Sequence, residues 1–140
     1  MPLIINNFSG NDLEYMINND IYQNALYLYY DSIEELCAYN SGKFSSLIRQ
    51  YNRFNPKNKY PKSAGIPIAN RKKGGFQKLT KQISAYIDLA FNDIQELIDI
   101  YQYDNIIISI RDGKPYNQLY CIADDVSDYI LKKVNSLKLN

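Results

Sequence analysis

The feature that most limits how this chain can fold is a long helical pattern that begins near Phe76 and ends near Tyr101. Apolar residues recur there at intervals of three and four, which places them on one stripe of an α-helix. The pattern covers about 26 residues, or about 40 Å of helix. Because such a helix must bury its stripe against another layer, the rest of the 140-residue chain has to supply strands or helices that pack on it.

Short segments rich in β-branched and aromatic residues predict the strands. They cover residues 3–5, 25–30 and 106–110. Asp112 and Gly113 supply the turn of a hairpin that returns from the last of these strands through Cys121. We therefore expect a short antiparallel sheet.

Capping residues and apolar spacing predict four shorter helices. One follows Ser9, the second runs from Ser32 through Tyr39, the third covers residues 44–51, and the last begins near Asp124. The sequence thus predicts a single α+β domain over residues 1–140, with the antiparallel sheet packed against the long central helix and a C-terminal helix.

The sequence shows neither helical nor strand periodicity between residues 55 and 75, where three prolines and three glycines interrupt both patterns. Long loops in small domains are usually functional or disordered, so we predict a mobile, basic and glycine-rich loop at about 55–75. Within it, Arg71 begins a run of three cations followed by two glycines and Phe76. Glycine lets backbone amides approach an anion, and the next helix begins with partial positive charge. An anion site and a solvated basic loop both fit this pattern.

Overall composition restricts the partners. Sixteen basic and fifteen acidic residues give a net charge of +1, which provides no general attraction for DNA or RNA polymers. No apolar run approaches the roughly 20 residues that cross a bilayer, and the N-terminus does not resemble a signal peptide. We therefore expect a cytoplasmic protein without a membrane partner.

The residue types needed for catalysis or metal binding are scarce. The chain has no histidine, and Cys37 and Cys121 are too far apart for a zinc site or a disulfide framework. Gly42 and Lys43 match the end of a phosphate loop, but Phe44 stands where that motif has Ser or Thr. We predict no catalytic residue, metal or cofactor, and binding is favoured over catalysis.

Two further positions are candidates for ligand contact. The hairpin turn explains Asp112 but does not require Arg111, whose guanidinium can fork onto a phosphate. Asn92 lies near the edge of the long helix's apolar stripe, where its amide can read a base edge or face solvent. Its neighbour Phe91 lies on the apolar side, where core packing is the simpler explanation.

The order of these segments resembles a family of small phage proteins that counter the Thoeris antiviral system by sequestering its cyclic nucleotide signal. The resemblance covers about residues 64–132. It rests on the basic glycine-rich loop and on three sequence segments, SAYIDLAFNDI at 84–94, IIISIRDG at 106–113 and VSDYI at 126–130. It implies a non-enzymatic protein in the cytoplasm of an infected bacterium that binds cyclic ADP-ribose isomers without cleaving them.

The resemblance also implies partners and site residues. The pockets would be completed across a homo-oligomeric interface, and some relatives hold cyclic oligonucleotides at separate sites. Phe91 and Asn92 would contact an adenine or its ribose, and Arg111 and Asp112 would contact phosphate and hydroxyl groups. The loop argument adds Arg71 and Phe76.

Two other functions stay open at the level of sequence. One is an enzyme that degrades a nucleotide signal with Asp112, Asp124 or tyrosine side chains. The other is a module that blocks a host protein through its tyrosine-rich surface.

Overall fold

A computed structural model describes residues 3–139 of the chain. Its six strands are β1 Leu3–Asn6, β2 Ala25–Ser32, β3 Ser63–Asn70, β4 Gly74–Gly75, β5 Asn105–Arg111 and β6 Lys114–Pro115. The α-helices are α1 Gly10–Asn18, α2 Lys81–Tyr101 and α3 Asp124–Asn135. Two 3₁₀ helices, Ile33–Glu35 and Phe44–Tyr51, lie between β2 and β3.

The strands form one curled, mixed sheet in the order β1-β5-β2-β3-β4, and β6 pairs with the end of β5. The α+β class is confirmed, but the prediction of an antiparallel sheet is wrong. The pairs β1–β5, β5–β2 and β2–β3 are parallel, and only the two-residue strands β4 and β6 pair antiparallel. The four long strands run parallel because helical crossovers, not tight turns, connect them.

The predicted loop at 55–75 is wrong over Ser63–Asn70, which forms β3 next to β2. The strand was not predicted because Gly65 and Pro67 are residue types that normally interrupt strand patterns. Pro67 is tolerated because β4 pairs with only the last two residues of β3, which leaves most of its outer edge without a neighbouring strand.

The sheet separates two hydrophobic layers, and β2 is buried along its full length. Leu26, Leu28 and Tyr30 point to the layer of α2 and α3, whereas Tyr27 and Tyr29 point to the layer of α1 and the second 3₁₀ helix. This alternation is the expected period of two. The predicted packing of the sheet against the long helix and the C-terminal helix is therefore confirmed.

The helices follow the predicted signals to different degrees. Ser9 and Asp12 form the capping box of α1, and Thr80 caps α2 by accepting the N–H of Ile83 at 3.1 Å. The helix predicted through Tyr39 is wrong, because only the single 3₁₀ turn Ile33–Glu35 forms. The predicted helix at 44–51 is a 3₁₀ helix with a break at Ser46.

Across residues 3–139, no helix is both long enough and apolar enough to span a bilayer.

Candidate anion-binding cleft

A cavity of about 320 Å³ opens at the carboxyl end of the parallel strands. We call it the carboxyl-edge cleft. Its charged lining comes from the end of β2, the 3₁₀ segments and the residue after β3, namely Asp31, Glu35, Lys43, Arg49 and Arg71. Residues 40–42, Ser46, Leu119 and Tyr120 complete it.

The topology explains why a cleft forms there. The connection from β2 to β3 packs its second 3₁₀ helix on the layer of α1, although Ile33 directly after β2 packs on the other layer, whereas the chain leaves β3 toward the layer of α2. Where neighbouring parallel strands send their connections to opposite faces, a crevice opens at their carboxyl ends. Such crevices are the usual ligand sites of open parallel sheets.

A buried ion pair forms the floor of the cleft. The side chains of Arg49 and Asp31 are only 4% and 5% exposed. Arg49 Nε donates to Asp31 Oδ2 at 2.7 Å, and Nη2 donates to Oδ1 at 2.8 Å. This two-pronged geometry fixes the guanidinium plane. The remaining nitrogen, Nη1, donates to no side chain or carbonyl within residues 3–139, so its two N–H groups have no acceptor there.

Glu35 extends the network from Arg49 to Arg71. Its Oε2 lies 2.7 Å from Arg49 Nη2, and its Oε1 lies 3.3 Å from Arg71 Nε. The neighbouring Glu34 accepts the backbone N–H of Arg71 at 2.8 Å, which fixes the turn between β3 and β4. Arg71 and Lys43 are otherwise exposed to solvent.

Burial and charge set the protonation states in the cleft. Burial raises the pKa of Asp31 above its ordinary value, and the hydrogen bonds and charge of Arg49 oppose this effect. Although desolvation lowers it, the pKa of Arg49 is raised overall by Asp31 and then Glu35. Burial also raises the pKa of Tyr120, with added effects from Glu35 and Asp31, so its hydroxyl stays protonated.

The wall formed by Leu119 and Tyr120 belongs to the segment between β6 and α3. The hairpin's return strand was predicted to run through Cys121, but it ends at Pro115, so that prediction is wrong beyond this residue. Gln77 Nε2 donates to the Cys121 carbonyl at 2.8 Å. Gly75 lies so close that a Cβ there would be 1.9 Å from the same oxygen.

The structure brings only one of the six predicted site residues, Arg71, into the cleft. Phe76 and Phe91 are 6% and 3% exposed and belong to the core around α2, which leaves no ring face of Phe91 open to a base in this conformation. Phe76 also borders a separate cavity beside Gly74 and Gly75. Asn92 lies on the exposed side of α2.

The hairpin residues Arg111 and Asp112 are at the surface, and neither lines the carboxyl-edge cleft. The Arg111 guanidinium lies 5.5 Å from the centre of the Tyr116 ring. Asp112 and Gly113 have φ angles of 53° and 71°, the left-handed pair that a tight hairpin turn needs. Turn geometry thus accounts for Asp112.

Sequence reasoning missed Asp31, Glu35 and Arg49 as site residues. The pattern placed Arg49 only on the flank of an apolar stripe, and nothing local links it to a carboxylate 18 positions earlier. One signal was present, since Asp31 directly follows the strand predicted over residues 25–30. It becomes informative only once that strand is known to be parallel, because the rule about carboxyl ends applies to parallel sheets.

A second cavity, of about 250 Å³, lies between α2 and the outer edge of β3, and we call it the apolar groove. Its apolar lining is Leu36, Phe54, Ala64, Gly65, Tyr86, Leu89, Ala90 and Leu97. Its polar side chains are largely occupied. Arg53 pairs with Asp93 and Glu96, and the amide of Asn52 donates to Tyr29 and Ala38 and accepts from two backbone N–H groups.

No group of three or more metal-ligating side chains occurs within residues 3–139. Comparison with protein-family models, curated proteins and solved structures gives no match.

Proposed function

We propose that this protein binds a small phosphorylated ligand in the carboxyl-edge cleft. The observation that carries the proposal is a buried Arg49 with a free Nη1, which lines the cleft together with the exposed cations Arg71 and Lys43 at the carboxyl ends of parallel strands. Charge-assisted hydrogen bonds from guanidinium and ammonium groups are the strongest that proteins offer to phosphate.

The uncharged polar side chains of the cleft narrow the class of ligand. Those of Asn40 and Ser41 can accept hydrogen bonds from hydroxyl groups. A ligand that carries both phosphate and hydroxyl groups satisfies the two kinds of lining at once. Nucleotides and sugar phosphates have this combination.

Within that class, we propose a cyclic ADP-ribose-type messenger that the protein sequesters without cleaving, as an immune-evasion protein of a phage. Two things support this choice, the resemblance over residues 64–132 and the diphosphate and ribose hydroxyls of such a messenger. Arg111 and Asn92 are exposed and do not line the cleft. The resemblance implies pockets completed across a homo-oligomeric interface, so in this proposal the two residues contact the ligand from a second copy of the chain.

Recovery of the messenger tests sequestration directly. Purified protein is incubated with a cyclic ADP-ribose isomer and then heat-denatured, and the released nucleotide is analysed by mass spectrometry. Intact ligand at a fixed ratio to protein is the expected result. Product formed beyond one equivalent per chain would instead select an enzyme, for which Asp31 and Glu35 are the carboxylates in the cleft.

A pair of matched variants tests whether the ligand binds in the carboxyl-edge cleft. Arg71→Gln removes a cleft cation, whereas Lys72→Gln removes the adjacent exposed charge, which does not line the cleft. Titration calorimetry with ADP-ribose should show at least tenfold weaker binding for Arg71→Gln and less than a twofold change for Lys72→Gln. Equal effects of the two variants would mean that only general surface charge attracts the ligand.

A further inference from the structure

Glu35 occupies the place in the carboxyl-edge cleft from which an anionic ligand would bridge Arg49 and Arg71. Its two carboxylate oxygens face different cations, with Oε2 2.7 Å from Arg49 Nη2 and Oε1 3.3 Å from Arg71 Nε. An oxyanion that bridged these guanidinium groups would need its oxygens in the same two positions. The internal carboxylate and an external anion therefore compete for one location.

The contacts of Glu35 are weaker than those of Asp31. Asp31 accepts two directed hydrogen bonds from Arg49 and is 5% exposed. The contacts of Glu35 with both guanidinium groups are ion pairs, and its side chain is 29% exposed. Because Asp31 already compensates the buried guanidinium, Arg49 does not depend on Glu35 for a partner.

The surroundings allow Glu35 to leave without disturbing the cleft. It lies on the single 3₁₀ turn Ile33–Glu35, which has no side-chain cap. The turn that carries Arg71 is held separately, because Glu34 accepts the backbone N–H of Arg71. A rotation of the Glu35 side chain would thus free both guanidinium groups from this carboxylate while these anchors stay in place.

We propose that Glu35 is an internal competitor whose displacement makes the cleft selective for phosphate dianions and diphosphates over carboxylates. This inference rests on the proposed function. A tethered carboxylate acts at an effective concentration on the order of millimolar. A free carboxylate brings the same single charge and gains nothing over it, whereas a phosphate brings a charge of about −1.5 to −2 and three acceptor oxygens.

The test compares Glu35→Gln with the wild type, using inorganic pyrophosphate and acetate as probes in titration calorimetry. Glu96→Gln is the control, because it changes net charge equally but contacts Arg53 at the rim of the apolar groove. Glu35→Gln should bind pyrophosphate at least tenfold more tightly than Glu96→Gln does, and it should bind acetate where the wild type binds none. Equal or weaker pyrophosphate binding by Glu35→Gln would overturn the inference.

A second variant keeps the test decisive if Glu35→Gln does not fold. Glu35→Asp retains the charge but is one methylene shorter, so it should release Arg71 and bind pyrophosphate about threefold to tenfold more tightly than the wild type. No gain in this variant would also count against the inference. If neither the wild type nor any variant binds pyrophosphate, both the inference about Glu35 and the proposed function are wrong. Wild-type binding that Glu35 substitutions do not strengthen would overturn the inference alone.

Discussion

The carboxyl-edge cleft and the apolar groove are lined by adjacent parts of one segment, yet their polar groups are used differently. Glu35 faces the cleft, and Leu36 faces the groove. The cleft contains a buried guanidinium with free N–H groups, whereas in the groove Arg53 and Asn52 are engaged within the protein. The difference teaches that cavity size alone does not identify a polar ligand's site, because available hydrogen-bonding groups are also needed.

The largest expected effect comes from removing the buried cation. Arg49→Met should lower the free energy of unfolding by about 3–5 kcal/mol, because it leaves Asp31 buried without its partner. Arg53→Met at the groove should cost at most about 1 kcal/mol, since that ion pair is partly exposed. Urea denaturation measures both. A double variant with Asp31→Asn should recover part of the loss, and no recovery would show that Arg49 acts through packing alone.

The second prediction concerns the groove. Asn52→Ala should cost about 1–3 kcal/mol, because the variant leaves the buried Tyr29 hydroxyl and the Ala38 carbonyl without the amide. The same substitution at exposed Asn92 on α2 is the control and should be neutral or stabilising by about 0.5 kcal/mol, since alanine favours helix. If Asn52→Ala is also neutral, the four hydrogen bonds of the groove amide do not contribute to stability, which contradicts the prediction.

Filling the groove should lower the free energy of unfolding less than Asn52→Ala does. It also tests whether binding in the groove and binding in the cleft are independent. A Cβ on Gly65 would lie 3.1 Å from the Tyr29 ring and 3.2 Å from a methyl group of Leu36. Gly65→Ala should therefore cost about 1 kcal/mol and weaken the binding of an apolar fluorescent dye. Pyrophosphate affinity measured by calorimetry should stay within twofold of the wild type. A larger change would mean that the shared segment couples the cavities.

The smallest effect is expected at Asp88 on α2, which lines neither cavity and receives a hydrogen bond from Tyr129 on α3. That hydrogen bond is the main cause that lowers the pKa of Asp88, and the hydrogen bond and charge of Lys133 lower it further. Because the folded pKa lies below the unfolded value near 4, the stabilisation is present above about pH 4 and is lost as pH falls through the folded value. Asp88→Asn should cost less than about 1 kcal/mol at pH 7 and nothing near pH 2. A cost that does not change with pH would rule out the charge as its source.

The sequence was informative where a single pattern dominated. Helix α2 and strand β5 were predicted because apolar spacing continued over many residues, and α1 because its capping box is local. Strand β3 was missed because Gly65 and Pro67 opposed the strand pattern, and tertiary pairing with β2 overrode them. Without β3, the parallel direction of the sheet could not be inferred.

The same omission limited prediction of the site. Arg71 was predicted because its cationic run is contiguous, and it lines the cleft, but the pair of Asp31 and Arg49 depends on how a crossover returns to the sheet. The aromatic candidates Phe76 and Phe91 followed from the resemblance or from their position near a basic loop. Both lie in the core, because an apolar ring next to a helix stripe gains more from burial than from exposure.

The close approach of Gly75 to Cys121 has a consequence for the cleft. Any side chain at position 75 would meet the Cys121 carbonyl and displace the segment that carries Leu119 and Tyr120. Because these two residues line the cleft, its shape would change with them. A residue that has no side chain and does not itself line the cleft thus limits where one of its walls can lie.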